Sequence, residues 1–318
     1  MRAVWLENQT FTYRTDIEVP TPNDHEALIK VILAGICGTD IQLAKGYYPF
    51  SGVPGHEFVG EVVSAASKPE LVGKRVVGEI NMGCGKCEAC TNGQRNHCQS
   101  RQILGIKNHS GAFAEYLCLP IANLHLVPEG VSNHQAVFTE PLAAALRILE
   151  QVNITSSTKV LLIGAGRLGQ LIALVLKYVP CELAVIARHD IQIHHLFELA
   201  VEIVAENEET DKCWEVVIEA TGTVGGLETA LGYVQAGGTV VVKSTFKEQS
   251  ILSLSQIVVD EITMIGSRCG PFDKALQFIE KYQPDLSSLI HQTVALEDFA
   301  SALQMAGQKD VIKVLIKP

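Results

Sequence analysis

The chain has 318 residues, enough for two domains of ordinary size, and its 47% apolar against 19% charged residues allow a large buried core. A net charge of −10 with no basic stripe argues against a nucleic-acid or anionic-membrane partner, because phosphate binding needs clustered lysine and arginine. No run approaches the ~20 apolar residues that span a bilayer, and the N-terminal segment lacks the apolar stretch of a signal peptide, so a cytoplasmic protein is expected.

The N-terminal segment MRAVWLENQTFTYR alternates apolar and polar residues like a strand. Residues 27–34, 58–64, 74–79 and 112–119 are further β-like runs punctuated by Gly and Pro, with little helical periodicity. This predicts a mostly β, barrel-like domain to about residue 135. Two Gly-rich turns inside it carry metal-ligand side chains. GICGTD at 35–40 holds Cys37, Thr39 and Asp40, and GHEFVG at 55–60 holds His56 and Glu57. A sulfur and an imidazole are too few for a catalytic zinc, which takes three protein ligands and keeps an open position. Glu140, in FTEPLAAAL, is a third candidate, and Glu57 is adjacent to His56. Read singly, each has a plainer reading: a buried thiol, a turn histidine, and an acid favoured by a helix N-terminus.

The run GCGKCEACTNGQRNHC follows at 83–98. Cys84, Cys87, Cys90 and Cys98 put four thiols in fifteen residues, separated by polar residues that cannot form a core. A disulfide knot and a metal site remain, and two-residue spacers that let thiolates face one centre favour a closed structural zinc. The other five cysteines, Cys37, Cys118, Cys181, Cys213 and Cys269, are scattered, a pattern that fits a reducing compartment.

From about Val137 short apolar strands alternate with helices. Helices are predicted at 140–152, 168–178 and 225–233, and strands at 159–163, 183–187, 215–219 and 238–242. Such alternation means βαβ units and a parallel sheet covered on both faces. Residues 159–170, KVLLIGAGRLGQ, carry G-x-G-x-x-G as Gly164, Gly166 and Gly169, after an apolar strand and opening an apolar helix. In that context the loop Gly164, Gly166, Arg167, Leu168, Gly169 binds a dinucleotide, with the pyrophosphate at the helix N-terminus. An NAD site needs an acid at the end of the second strand, but LAVIARHD places Arg188 there. Arginine pairs with a 2′-phosphate or stacks on adenine, His189 can assist, and Asp190 lies two residues later than the NAD position. NADP(H) is therefore favoured over NAD(H); the plainer reading of Arg188 is a solvated charge. Lys243, at the end of a sheet strand, either reaches a ligand or is a solvated lysine. Two more helices, at 272–281 and 296–305, and a strand at 311–316 complete the reading.

Six motifs, GICGTD, PGHEFVGEV, the four-cysteine run, TEPLA, VLLIGAGRLG and EATG at 219–222, resemble in order those of zinc-dependent medium-chain alcohol and polyol dehydrogenases. The resemblance implies a GroES-like β-rich catalytic domain (1–138 and 271–318) and a Rossmann doubly wound parallel-sheet domain (139–270), an α/β protein. It implies hydride transfer between a primary or secondary alcohol and NADP(H), giving an aldehyde or ketone. Cys37, His56 and Glu140 would hold a catalytic zinc, with Glu57 exchanging with water as fourth ligand. Thr39 would bond the substrate hydroxyl, and Asp40 would orient His56. Cys84, Cys87, Cys90 and Cys98 would hold a second zinc, and Thr221 would lie near the cofactor. A homodimer or homotetramer with a small-molecule substrate and no nucleic-acid or membrane partner is expected.

The chain departs from that pattern at Gln42, where many members have a titratable histidine, and between Arg188 and Trp214, which looks abbreviated. An NAD-dependent polyol or sugar dehydrogenase and a non-catalytic NADPH-binding zinc protein are the alternatives. Thr39, Tyr47, Tyr48, Phe50 and residues 268–272 are candidate pocket residues.

Overall fold

The computed structural model describes residues 1–205, 213–245 and 252–318. They form two compact units, one of Met1–Glu140 with Phe272–Pro318 and one of Pro141–Pro271.

The first unit is built on a seven-stranded sheet. Its order is Ile290–Ala295, Lys313–Lys317, Glu26–Gly35, Glu57–Ser64, Arg75–Gly78, Leu124–Leu126, with Tyr116–Pro120 also paired to Glu26–Gly35. Only the first of these pairs is parallel. Glu26–Gly35 is the hub. Ala27, Ile29, Val31 and Leu33 are buried on its core face, the two-residue period of a half-covered strand. Burial becomes continuous at Leu33, Ala34 and Gly35, and Glu57–Ser64 starts with four buried residues. The antiparallel register sets Gly35 opposite Glu57, so the turns carrying Cys37 and His56 emerge at the same end of the pair.

The N-terminal hairpin joins Ala3–Glu7 to Thr10–Arg14 through Asn8 (φ 48) and Gln9 (φ 63). Two left-handed residues in a two-residue turn match the twist of the strands they connect. A short ladder, Asn81–Met82 with Gln102–Ile103, closes the base of the four-cysteine loop.

The second unit holds a six-stranded parallel sheet in the order Glu202–Val204, Glu182–Ile186, Lys159–Ile163, Trp214–Glu219, Val234–Val242, Thr263–Gly266. Leu161, Ala184, Val217 and Val240 are fully buried in it, as strands covered on both faces require. The chain moves outward from Lys159–Ile163, then returns to its other side at Trp214–Glu219. At that reversal the strand ends Ile163 and Glu219 lie in register, and such a point opens a ligand crevice at the carboxyl ends.

Two elements here escape the sequence reading. The sixth strand is four residues with no fully buried side chain, and the helix before it, Leu254–Val259, buries none of its residues. Neither leaves a periodic apolar signal. The abbreviated segment contains the helix Asp190–Glu198 and a three-residue strand; its residues 206–212 lie outside the described residues. Among the described residues no helix is long and apolar enough to cross a membrane.

Candidate functional site

Cys37 is the N-cap of the helix Gly38–Ala44. Its N–H donates to Asp40 Oδ2 at 2.8 Å, so the turn and the first helical residues are fixed together. Asp40 is fully buried, and its Oδ1 lies 3.6 Å from His56 Nδ1. Thr39 Oγ1 is 3.7 Å from Cys37 Sγ. Ligand atoms of Cys37, His56 and Glu57 all lie within 4.8 Å of one another, a spacing compatible with one ion, since ligands ~2.0–2.3 Å from a tetrahedral zinc stand roughly 3.5 Å apart. Glu140 lies in the first turn of the helix Thr139–Gln151, half-buried and outside that group of three. The carboxylate that the structure brings to Cys37 and His56 is thus Glu57. Gly35 makes its approach possible: a Cβ there would stand 2.3 Å from Glu57 Oε2.

The donor set fits a divalent cation. Burial lowers the tendency of His56 to protonate, yet the Asp40 carboxylate and the Cys37 sulfur outweigh it and hold the imidazole well above its ordinary value. Asp40 Oδ1 and His56 Nδ1 face each other at 3.6 Å, just beyond hydrogen-bond reach, and Glu57 Oε1 is buried without a hydrogen-bond partner, which is unfavourable by about 1–3 kcal/mol for such an atom. A cation would pair the free Glu57 oxygen.

Sequence reasoning missed Lys313. It is buried, and its Nζ donates to Glu57 Oε2 at 2.5 Å and to the Ile36 carbonyl at 3.4 Å, 5.7 Å from the Phe138 ring centre. Its signal is a lysine with apolar neighbours on both sides, in VIKVLIK, where a solvated lysine has no place.

In the four-cysteine loop the Sγ atoms of Cys84, Cys87, Cys90 and Cys98 also lie within 4.8 Å of one another. None of the nine cysteines is in a disulfide. Backbone N–H groups of Lys86 and Cys87 hold the Cys84 thiol down to about 6. Cys87 is pushed up to about 11: the Cys90 N–H opposes the rise, but hydrogen bonds with the neighbouring thiols and burial outweigh it. Four sulfurs this close resist joint ionisation without a cation among them, and a closed set of four thiolates suits zinc.

In the second unit Gly164 has φ +95, and a Cβ on it would meet the Ala220 carbonyl at 2.9 Å; a Cβ on Gly169 would meet the Gly164 carbonyl at 2.0 Å. These positions demand glycine. Gly166 is the N-cap of the helix Arg167–Lys177, has no capping side chain, and faces open space within 4 Å. Gly166 offers no side chain to cap the N–H groups of that first turn, the arrangement that receives a pyrophosphate. Gln170, also missed from sequence, is buried and donates to the Ala165 and Gln192 carbonyls at 3.0 and 3.1 Å, tying the glycine loop to the next helix. Arg188 is exposed just past Glu182–Ile186, and half-buried His189 is the N-cap of Asp190–Glu198. Thr221 is half-buried in the turn after Trp214–Glu219.

Lys243 is not a solvated lysine. It is buried and donates to the Ala144 carbonyl (2.7 Å), Ser267 Oγ (3.1 Å) and the Arg268 carbonyl (3.2 Å), which anchors residues 267–268. Gln42 is exposed, as is Tyr47, while Tyr48 and Phe50 are half-buried.

The chain is similar to known proteins over most of its length. Residues 23–129 match the alcohol dehydrogenase GroES-like domain. An L-galactonate-5-dehydrogenase of Escherichia coli is 32% identical over 79% of this chain and 78% of its own length. D-arabinitol dehydrogenase 1 of Uromyces fabae is 28% identical over 100% and 97%. A zinc-binding dehydrogenase from Sinorhizobium meliloti bound to NADP superposes with a TM-score of 0.92 at 26% identity, covering 100% of this chain and 99% of that one. An alcohol dehydrogenase from Escherichia coli complexed with NADH gives 0.92 at 27%, with the same coverage.

Proposed function

The chain belongs to the zinc-type medium-chain alcohol and polyol dehydrogenase family and is an NAD(P)-dependent dehydrogenase acting on CH–OH donors; from that premise we propose that it oxidises a secondary hydroxyl of a polyol or sugar acid with NADP⁺, reversibly. The Cys37–His56–Glu57 cluster, with its histidine and carboxylate buried, carries this reading. Relatives named for arabinitol and galactonate favour the polyhydroxy substrate.

Cys37 and His56 would hold a zinc with one carboxylate, from Glu57 or from Glu140, and the four-cysteine loop a second zinc. Bound zinc would supply a Lewis acid to the substrate oxygen, and the nicotinamide an acceptor for hydride. Asp40 fixes Cys37 through its backbone and faces His56 Nδ1, leaving the other ring nitrogen for the metal. Thr39, beside Cys37, would bond the substrate hydroxyl and hold its departing proton. Gln42 cannot titrate, so that proton leaves by water or another group. Lys313 holds the Glu57 side chain in place through their hydrogen bond. Gly164, Gly166, Arg167, Leu168 and Gly169 would cradle the pyrophosphate, with Thr221 nearby. Arg188, aided by His189, would face the 2′-phosphate.

The test is zinc content together with a panel of polyols, sugar acids and simple alcohols assayed with both dinucleotides. Zinc at both clusters, activity on polyhydroxy substrates and a preference for NADP⁺ are expected. Arg188→Asp should shift preference toward NAD⁺ by about tenfold or more, the worth of one charge-assisted hydrogen bond. Zinc confined to the four-cysteine loop would point to a non-catalytic NADPH-binding protein. A wide native preference for NAD⁺ would overturn the cofactor assignment.

A further inference from the structure

Glu219 ends the strand Trp214–Glu219 at the reversal point of the parallel sheet and is fully buried. Its Oε1 accepts three hydrogen bonds: from the Thr221 N–H (2.7 Å), the Thr221 hydroxyl (2.7 Å) and the Ser244 hydroxyl (2.8 Å). Its Oε2 is buried with no hydrogen-bond partner. One atom thus ties together the turn at 220–223 and the exit of the neighbouring strand Val234–Val242. The network continues outward. The Gly222 N–H donates to Ser244 Oγ at 2.7 Å, and Thr221 Oγ1 lies 2.9 Å from Thr223 Oγ1. Thr223 Oγ1 accepts from the Gly226 N–H and caps the helix Val224–Tyr233.

Fastening a turn does not require burying a carboxylate and orphaning one of its oxygens, which is unfavourable. Three hydrogen bonds converging on one buried oxygen fix the turn to the neighbouring strand exit. The turn is also the one on which the glycine loop leans. The Ala220 N–H donates to the Ile163 carbonyl at 2.9 Å, and a Cβ on Gly164 would meet the Ala220 carbonyl at 2.9 Å and Thr221 Cα at 3.0 Å. A small displacement of the turn would reshape the space at Gly164.

We infer that Glu219 is a positioning residue for the dinucleotide: acting through Thr221 and Ser244, it fixes the crevice wall against Gly164. The inference rests on the dinucleotide reading of the glycine loop. A purely structural role would lower the stability of Glu219 variants and leave cofactor affinity alone. A positioning role weakens affinity in protein that is still folded.

NADPH and NADH dissociation constants of the zinc-loaded protein, measured by fluorescence titration beside melting temperatures, separate the two. Glu219→Ala should raise the constant about tenfold, equivalent to about 1.4 kcal/mol, with cofactor KM rising more than kcat falls. Ser244→Ala, at a half-exposed position, removes one donor and the acceptor of Gly222 and should raise it about threefold. Glu219→Gln keeps an acceptor oxygen and should recover most of the affinity lost in Glu219→Ala. Affinities within about twofold of wild type in both alanine variants would overturn the inference, as would a lower melting temperature with unchanged affinity. If Glu219→Ala does not fold, wild-type affinity in Ser244→Ala overturns it alone. Wild-type protein that binds neither dinucleotide would overturn the dinucleotide reading itself, and this inference with it.

Discussion

Cys84, Cys87, Cys90 and Cys98 come from one fifteen-residue loop and include an exposed thiol, whereas Cys37 and the His56–Glu57 pair come from the ends of two strands and meet in a buried pocket. The first cluster offers four soft ligands and no spare position, and little beyond its own loop and the short ladder at its base is needed to assemble it. The second offers sulfur, nitrogen and carboxylate, with unpaired polar atoms left over, and it depends on a lysine 256 positions away from Glu57. A site that locks a loop can be local. A site that must keep an opening for substrate needs rigid walls, which come from several parts of a fold.

The sharpest way to break this contrast is Cys37→Ala. Turnover should fall by about three orders of magnitude, the loss of several kcal/mol of charge stabilisation, with dinucleotide affinity hardly changed in fluorescence titration. Activity close to wild type would remove the distinction between the clusters. Next is Lys313→Met, which leaves the Glu57 carboxylate buried and unpaired. Denaturant midpoints should report a loss of about 3–5 kcal/mol, and the double variant with Glu57→Gln should lose less than the sum of the singles. Cys98→Ser should remove one zinc per chain and lower the melting temperature by about 5–10 °C, while activity per folded molecule persists; abolished activity would mean the loop does more than hold structure. Zinc retention in Glu57→Gln against Glu140→Gln decides which carboxylate is the ligand.

The smallest effect concerns thiol chemistry after chelation. Cys84, held down to about 6, loses its proton above that pH, whereas burial pushes Cys118 up to about 12. Alkylation of Cys84 followed by mass spectrometry should rise through pH 6 and level off above about pH 7, with Cys118 untouched while the protein is folded. Equal labelling of Cys84 and Cys87 at neutral pH would contradict the hydrogen bonding described for the loop.

The same contrast explains what could be read from sequence. The four-cysteine loop and the glycine fingerprint are local, so spacing alone exposes their chemistry, and Lys159–Ile163 followed by an apolar helix is readable as a strand and helix. The relation of Glu57 to Cys37 depends on the antiparallel register that sets Gly35 opposite Glu57, and register between strands is not written in either one. Lys313 and Lys243 read as ordinary basic residues because the carbonyls and carboxylate that receive them lie far away along the chain. Glu219 was visible only as part of EATG, and its three donors on one oxygen emerge only when two adjacent strand exits are brought together.

The pairing of Lys313–Lys317 with the hub strand Glu26–Gly35 also sets an order of events during synthesis. All residues of the dinucleotide unit leave the ribosome before Lys313 does, whereas Ile36, which receives its ammonium, leaves 277 positions earlier. At about 5–20 residues per second, Glu57 waits some 10–50 s for its counter-charge. A nascent chain can therefore complete its nucleotide-holding half while the metal pocket is still unfinished, so the reactive centre is the last part of the protein to be armed.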